Sequence, residues 1–176
     1  IVRTFQIPRE FARMTVIENL ALAAAPQTGE TLIAAWLRRG RVDAEERAIR
    51  ARAREILTFL KLDRLAEDPA GSLSGGQKKL LELGRTMMVE PKIVLLDEPG
   101  AGVNPTLMKD LVEAVRTLNR EKGVAFCLIE HDMDVIAALC DPVIAMAHGR
   151  VIAEGSFEQV RADPTVREAY LGGAAA

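Results

Sequence analysis

The sequence predicts an α/β domain built on a mostly parallel sheet. Two short, wholly apolar runs rich in branched residues, Ile93-Val94-Leu95-Leu96 and Val124 to Ile129, read as strands buried on both faces. A helical pattern of strand-crossover length lies between them, and a third segment, largely helical, fills residues 23–90.

The chain has 176 residues, enough for one domain with a sizeable core. With 49% hydrophobic and 27% charged residues, the composition is that of a globular protein. The net charge of −2 provides no basic field for nucleic acid, which is not expected as a partner. Uncharged apolar runs such as Leu20 to Pro26 fall well short of the roughly 20 residues that span a bilayer, so any membrane role is expected to come through a partner. Cys127 and Cys140 fit no metal or redox spacing and are expected to be reduced, buried and structural. No secretory signal is expected. The opening Ile1-Val2-Arg3-Thr4-Phe5-Gln6 reads as the end of a strand from a longer chain, and Gly172 to Ala176 as a frayed tail.

Four zones follow in order within one domain over 1–176. Residues 1–22 hold a polar loop and then the apolar segment Val16 to Leu22. In zone 23–90, Asp43 with Glu46 predicts a capped helix start, and Ile49, Ala53, Ile56, Leu57 and Leu60 give that helix one apolar face. The arginine surplus from Arg38 to Arg64 suits a solvated face, or alternatively a patch for a partner or lipid headgroups. Leu32, Ile33, Trp36 and Leu37 form an apolar turn open to two readings, core packing or contact with a partner subunit.

Zone 91–155 starts with the strand at Ile93. Asn104-Pro105 then reads as N-cap and first helical residue, Leu107, Leu111, Val115 and Leu118 supply the stripe, and Gly123 stops the helix. After the strand ending at Ile129 come a helix from about Asp132 to Leu139 and a hairpin turning at His148-Gly149. Zone 156–176 is a helical extension.

Three segments carry chemistry. In Leu73-Ser74-Gly75-Gly76-Gln77, Ser74 and Gln77 form a capping box, and the two glycines leave the backbone bare where orphan N–H groups and the helix dipole favour an anion. In Ile93-Val94-Leu95-Leu96-Asp97-Glu98-Pro99, two carboxylates end an apolar strand, the place where open α/β sheets bind ligands. Asp97 suits Mg²⁺, which takes few carboxylates plus phosphates, and Glu98 is placed to polarise a water near a terminal phosphate. His131, at the next strand end, is a candidate for contacting a phosphate oxygen; His148, in a turn, is assigned no chemistry.

Together these segments resemble the ABC ATPase family. Leu73 to Gln77 matches its signature letter for letter, and Ile93 to Glu98 its Walker B strand with the catalytic glutamate. Gly100-Ala101-Gly102-Val103-Asn104-Pro105 is similar to the segment that crosses the dimer interface, His131 to the switch histidine, and Gln6 to the glutamine that contacts the metal. Arg3 to Gln6, the long insertion before the signature, Glu130 to Met133 and Glu168 to Gly172 look like the ATPases of branched-chain amino acid importers.

The resemblance implies a P-loop NTPase fold with a helical signature subdomain, and ATP and Mg²⁺ as ligands. It implies Glu98 and His131 as catalytic residues, Asp97 and Gln6 at the metal, and Gln6, Ser74, Gly75, Gly76 and Gln77 at nucleotide. The implied partners are a second ATPase subunit facing this one head to tail, transmembrane permease subunits and, indirectly, a periplasmic binding protein. The implied location is the cytoplasmic face of the inner membrane. Zone 1–22 would then be the glutamine-loop region and 23–90 the signature subdomain, with 91–155 as the Walker B and histidine core. One departure is clear: no Gly-x-x-x-x-Gly-Lys-Ser/Thr occurs in these residues, so the fold is expected to be partial, lacking the first strands and the phosphate loop. The alternatives are a non-transport ABC ATPase and a non-enzymatic interaction fragment. Gly84 costs its helix roughly 1 kcal/mol relative to alanine, which implies close packing there.

Overall fold

The computed structural model describes residues 1–3, 10–24 and 39–171. They form two compact units, Ile1–Ile129 and Glu130–Ala176.

In the first unit β1 (Val2–Arg3), β2 (Ile93–Asp97) and β3 (Ala125–Ile129) make a parallel sheet in that order. The crossover from β2 to β3 is α4 (Pro105–Lys122), which starts where Asn104 Oδ1 accepts from the Leu107 amide at 3.0 Å. It ends at Gly123, whose φ of 65° is the left-handed conformation that glycine adopts without penalty.

Register places Ile93, Leu95 and Asp97 beside Ala125, Cys127 and Ile129 on one face of the sheet. Among the described residues that face is open: Ile93 is 37% and Ile129 58% exposed, whereas Val94 and Leu96 on the other face are buried. The expectation of strands covered on both faces is therefore met on one side only. Cys127, expected to be buried, is exposed because it lies on the open face of β3, and Cys140 is half-buried.

A helical layer joins the sheet. It comprises α1 (Val16–Ala21), α2 (Arg39–Phe59) and α3 (Gly75–Met88). Its core holds Ile17, Leu20, Leu57, Leu80, Leu81 and Leu83, each at most 2% exposed. The predicted apolar face of α2 is largely present, with Ala53, Ile56, Leu57 and Leu60 buried. Its predicted start is not: α2 begins by Arg39, so Asp43 lies inside it. The Arg41–Glu45 ion pair at 3.1 Å bridges the turn containing Asp43, and a helix continued through that turn leaves the aspartate no end to cap.

Gly84 lies where α3 meets α2 and α1. A Cβ built there would stand 2.9 Å from Leu60 Cδ1 and 3.3 Å from Ile56 Cγ2, which explains the glycine by close approach.

The segment 10–15 is bound to both neighbours. Buried Asn19 accepts from the Phe11 amide at 2.8 Å and donates to the Phe11 and Thr15 carbonyls at 3.1 and 2.9 Å. On the other side the amides of Ala70 and Gly71 donate to Met14 and Ala12.

The second unit has α5 (Met133–Leu139), the antiparallel hairpin β4 (Val143–Ala147) and β5 (Arg150–Gly155), then α6 (Phe157–Ala162) and α7 (Pro164–Leu171). The Tyr170 hydroxyl donates to the Met146 carbonyl at 3.0 Å, tying α7 to the hairpin. Among the described residues no helix is long and apolar enough to cross a membrane.

Candidate functional site

The site grows from the C-terminal end of β2. The strand carries its chain to Asp97, and Glu98 then turns away with φ of 46°. A non-glycine residue there is disfavoured sterically and persists where its surroundings fix it. The fixing bonds are visible: the Glu98 amide donates to the Ile129 carbonyl at 2.9 Å, and its own carbonyl accepts from the Ala101 amide at 3.1 Å. A second bond to that carbonyl comes from Lys79 Nζ at 3.3 Å.

Asp97 is half-buried, and its Oδ2 accepts from the Arg3 guanidinium of β1 at 3.0 Å. Arg3 itself is largely exposed, which makes this a water-screened pair that orients the carboxylate and stabilises little.

The signature segment opens α3 in the same unit. Ser74 caps the helix, its Oγ accepting from the Gln77 amide at 3.4 Å while Gln77 Oε1 accepts from the Ser74 amide at 2.9 Å. Gly75 is exposed at the helix start. Gly76 is buried, and a Cβ built on it would stand 2.7 Å from Leu107 Cδ1 and 3.2 Å from Val103 Cγ1. Gly75 in turn faces the Gly102 carbonyl, 3.7 Å from where its Cβ would be. The signature turn therefore packs against the loop 100–104 and the first turn of α4.

His131 belongs to the second unit. It is exposed, its amide donates to Glu130 Oε2 at 3.1 Å, and it stands just ahead of Asp132, the N-cap of α5. His148 sits in the β4–β5 turn with φ of 49°. Gln6 lies outside the described residues, as do Thr4, Phe5, Leu32, Ile33, Trp36 and Leu37. The structure thus brings Asp97, Glu98 and Ser74 to Gln77 into one unit.

The metal expectation meets a simple test. Among the described residues no cluster of three or more His, Cys, Asp or Glu side chains could hold an ion by itself. A single, partly exposed carboxylate at a strand end, here paired with Arg3, fits Mg²⁺, which fills its remaining positions with water and substrate phosphate oxygens.

Sequence reasoning missed Lys79 and Arg3. Lys79 was detectable: three residues after Gly76 and four before Leu83, it occupies the inward face of α3, where an uncompensated ammonium is costly. Arg3 was legible only as part of an extended segment.

Two family models match the chain: ABC transporter over residues 1–101, and Branched-chain amino acid ATP-binding cassette transporter over residues 150–176. The chain is 46% identical to the "Probable branched-chain amino acid transport ATP-binding protein LivG" of Archaeoglobus fulgidus, over 98% of this chain and 65% of that relative. It is 37% identical to the high-affinity branched-chain amino acid transport ATP-binding protein BraF of Pseudomonas aeruginosa, over 98% of this chain and 68% of the relative. Among solved structures, the ADP conformation of an ATP-binding cassette of an ABC transporter superposes with a TM-score of 0.75 at 39% identity. That match covers 97% of this chain and 68% of the other. The chain spans 65% of the A. fulgidus relative and 68% of the P. aeruginosa one.

Proposed function

This chain belongs to the ABC transporter family of ATP-binding cassettes, and from that premise we propose that it is the ATP-hydrolysing part of a subunit that energises a branched-chain amino acid importer. The observation that carries the ATPase reading is the acid pair Asp97-Glu98 at the end of a parallel strand, joined through one unit to the capped, glycine-bare start of the signature helix. The substrate class is supported by the relatives' names and by the family match at residues 150–176.

In this reading Glu98 is the base. Its carboxylate accepts a hydrogen bond from the attacking water and takes up its proton as water adds to the terminal phosphorus, releasing ADP and phosphate. His131 is carried over as the family's switch histidine on the resemblance of its sequence position. Asp97 and Gln6 would hold Mg²⁺, which when bound would supply positive charge for the phosphate oxygens. The start of α3, with Ser74, Gly75, Gly76 and Gln77, faces a nucleotide held by a second subunit arranged head to tail, where helix-terminal amides favour the phosphate charge.

The reading requires a phosphate loop, which these 176 residues do not contain. Closure and reopening of the subunit pair would act on transmembrane permease subunits at the cytoplasmic face of the membrane, with a periplasmic protein delivering the solute. Uptake of radiolabelled leucine, isoleucine and valine in a strain lacking the gene is the test. Loss of all three, restored by the gene, supports the reading; unchanged uptake with another solute lost removes the substrate class and leaves the ATPase intact.

A further inference from the structure

Lys79 is a buried lysine with a specific acceptor. It lies on α3, two residues beyond the signature glutamine, and is 6% exposed. Leu80 and Leu81 beside it are buried in the ordinary apolar way. An ammonium in that setting is costly unless oxygen atoms compensate it, and Nζ donates to the Glu98 backbone carbonyl at 3.3 Å.

That carbonyl belongs to the residue with the left-handed backbone, φ of 46°. With its amide bonded to Ile129 and its carbonyl held by both Ala101 and Lys79, the peptide planes on either side of Glu98 are oriented. Those planes fix the direction in which the Glu98 side chain leaves the backbone. We infer that Lys79 is a positioning residue: it sets the backbone of Glu98, and so the aim of the carboxylate, from the helix whose first turn is the signature.

The inference rests on the ATPase reading and deepens it. Lys79 stands little more than one helical turn from Ser74, a span over which an α-helix moves as a rigid piece. A shift of α3 when Ser74 to Gln77 engage a partner's nucleotide is therefore delivered to the same chain's Glu98. The helix reads one nucleotide and adjusts the water-activating group for another.

The test uses the full-length protein that carries the phosphate loop, with Mg-ATP, comparing wild type, Lys79→Met, Lys79→Arg, Glu98→Gln and the Lys79→Met/Glu98→Gln double variant. Lys79→Met is expected to lower kcat on the order of ten- to a hundredfold, as misplacement of a catalytic group does, with KM changed by less than about twofold. Lys79→Arg, which keeps a cationic donor, is expected to recover most of the loss. In the Glu98→Gln background, Lys79→Met is expected to cost less than about twofold more, because Lys79 acts through Glu98.

Normal turnover in Lys79→Met overturns the proposal, as does an equal loss in both backgrounds. A Lys79→Met protein that no longer unfolds cooperatively overturns it too, by assigning the lysine to the fold. A wild-type protein without turnover removes the ATPase reading itself, whereas an active wild type with an unaffected Lys79→Met removes this inference alone.

Discussion

The Glu98 amide donates to the Ile129 carbonyl at 2.9 Å, so the ladder between β2 and β3 is extended by a residue that has already left its strand. The bond anchors the turn that carries the acid pair to the end of the neighbouring strand. It also gives the Glu98 backbone an anchor that is separate from its carboxylate.

For that reason Glu98→Gln is expected to leave the turn intact. In full-length protein it should lower ATP turnover on the order of a hundredfold or more, since an amide cannot accept the proton from water. ATP binding should persist, and an ATP-bound pair of subunits should accumulate. Turnover and nucleotide retention on a sizing column measure both, and near-normal hydrolysis would remove Glu98 as the base.

The 176 residues by themselves should neither bind Mg-ATP tightly nor hydrolyse it, because they include no phosphate loop. They should also self-associate. Ile129, Ile144, Met146 and Val151 are each more than half exposed, and β3 has β2 as its strand neighbour on one flank alone among the described residues. Titration calorimetry and light scattering decide the matter; micromolar binding by a monodisperse monomer contradicts it.

Gly84→Ala tests the contact between α2 and α3. Alanine gains roughly 1 kcal/mol of helix propensity, but its Cβ would press on Leu60 and Ile56, which are themselves buried. Overpacking of such a site costs about 1–3 kcal/mol, so a net loss of up to about 2 kcal/mol is expected. Denaturant unfolding reads the difference, and a stabilised variant would show that the helices can move apart freely.

Glu18 gives a pH test. The Thr15 amide donates to its Oε2 at 2.8 Å, and this bond, with that to the Thr15 side chain, holds the carboxyl below the ordinary 4.5. A lowered folded-state pKa means that the contribution to stability is present above about pH 4.5 and lost as pH falls through the folded value. NMR titration of the Glu18 carboxyl should show a midpoint below 4.5. A midpoint at or above that value would mean that the capping bond is not kept in solution.

Much of this architecture was legible because local chemistry decided it. Asn104 and Gly123 bound α4 and Ser74 and Gln77 begin α3 through bonds to residues close in sequence, and His148-Gly149 turns the hairpin through two positive φ angles. Asp97 and Glu98 stood out because two acids at the end of an apolar strand are costly without a purpose. Features set by distant residues were less legible. Asp43 offered a cap that the continuing helix did not use. The exposure of Cys127 follows from what covers the sheet, which an apolar run does not specify. The acceptor of Lys79 lies 19 residues away on another element, so its role emerged only from the tertiary arrangement.

The pairing of Val2 with Val94 has a consequence for synthesis. At a ribosome speed of about 5–20 residues per second, the roughly ninety residues between them take on the order of 5–20 seconds to appear. Throughout that interval β2 is not there to pair with β1, while the α1, α2 and α3 sequences emerge and can pack on one another. Closing so long a loop is also entropically demanding, which places the docking of β1 late in assembly. The edge of the Arg3 segment that faces β2 is therefore left open to chaperones and proteases while the nascent chain lengthens.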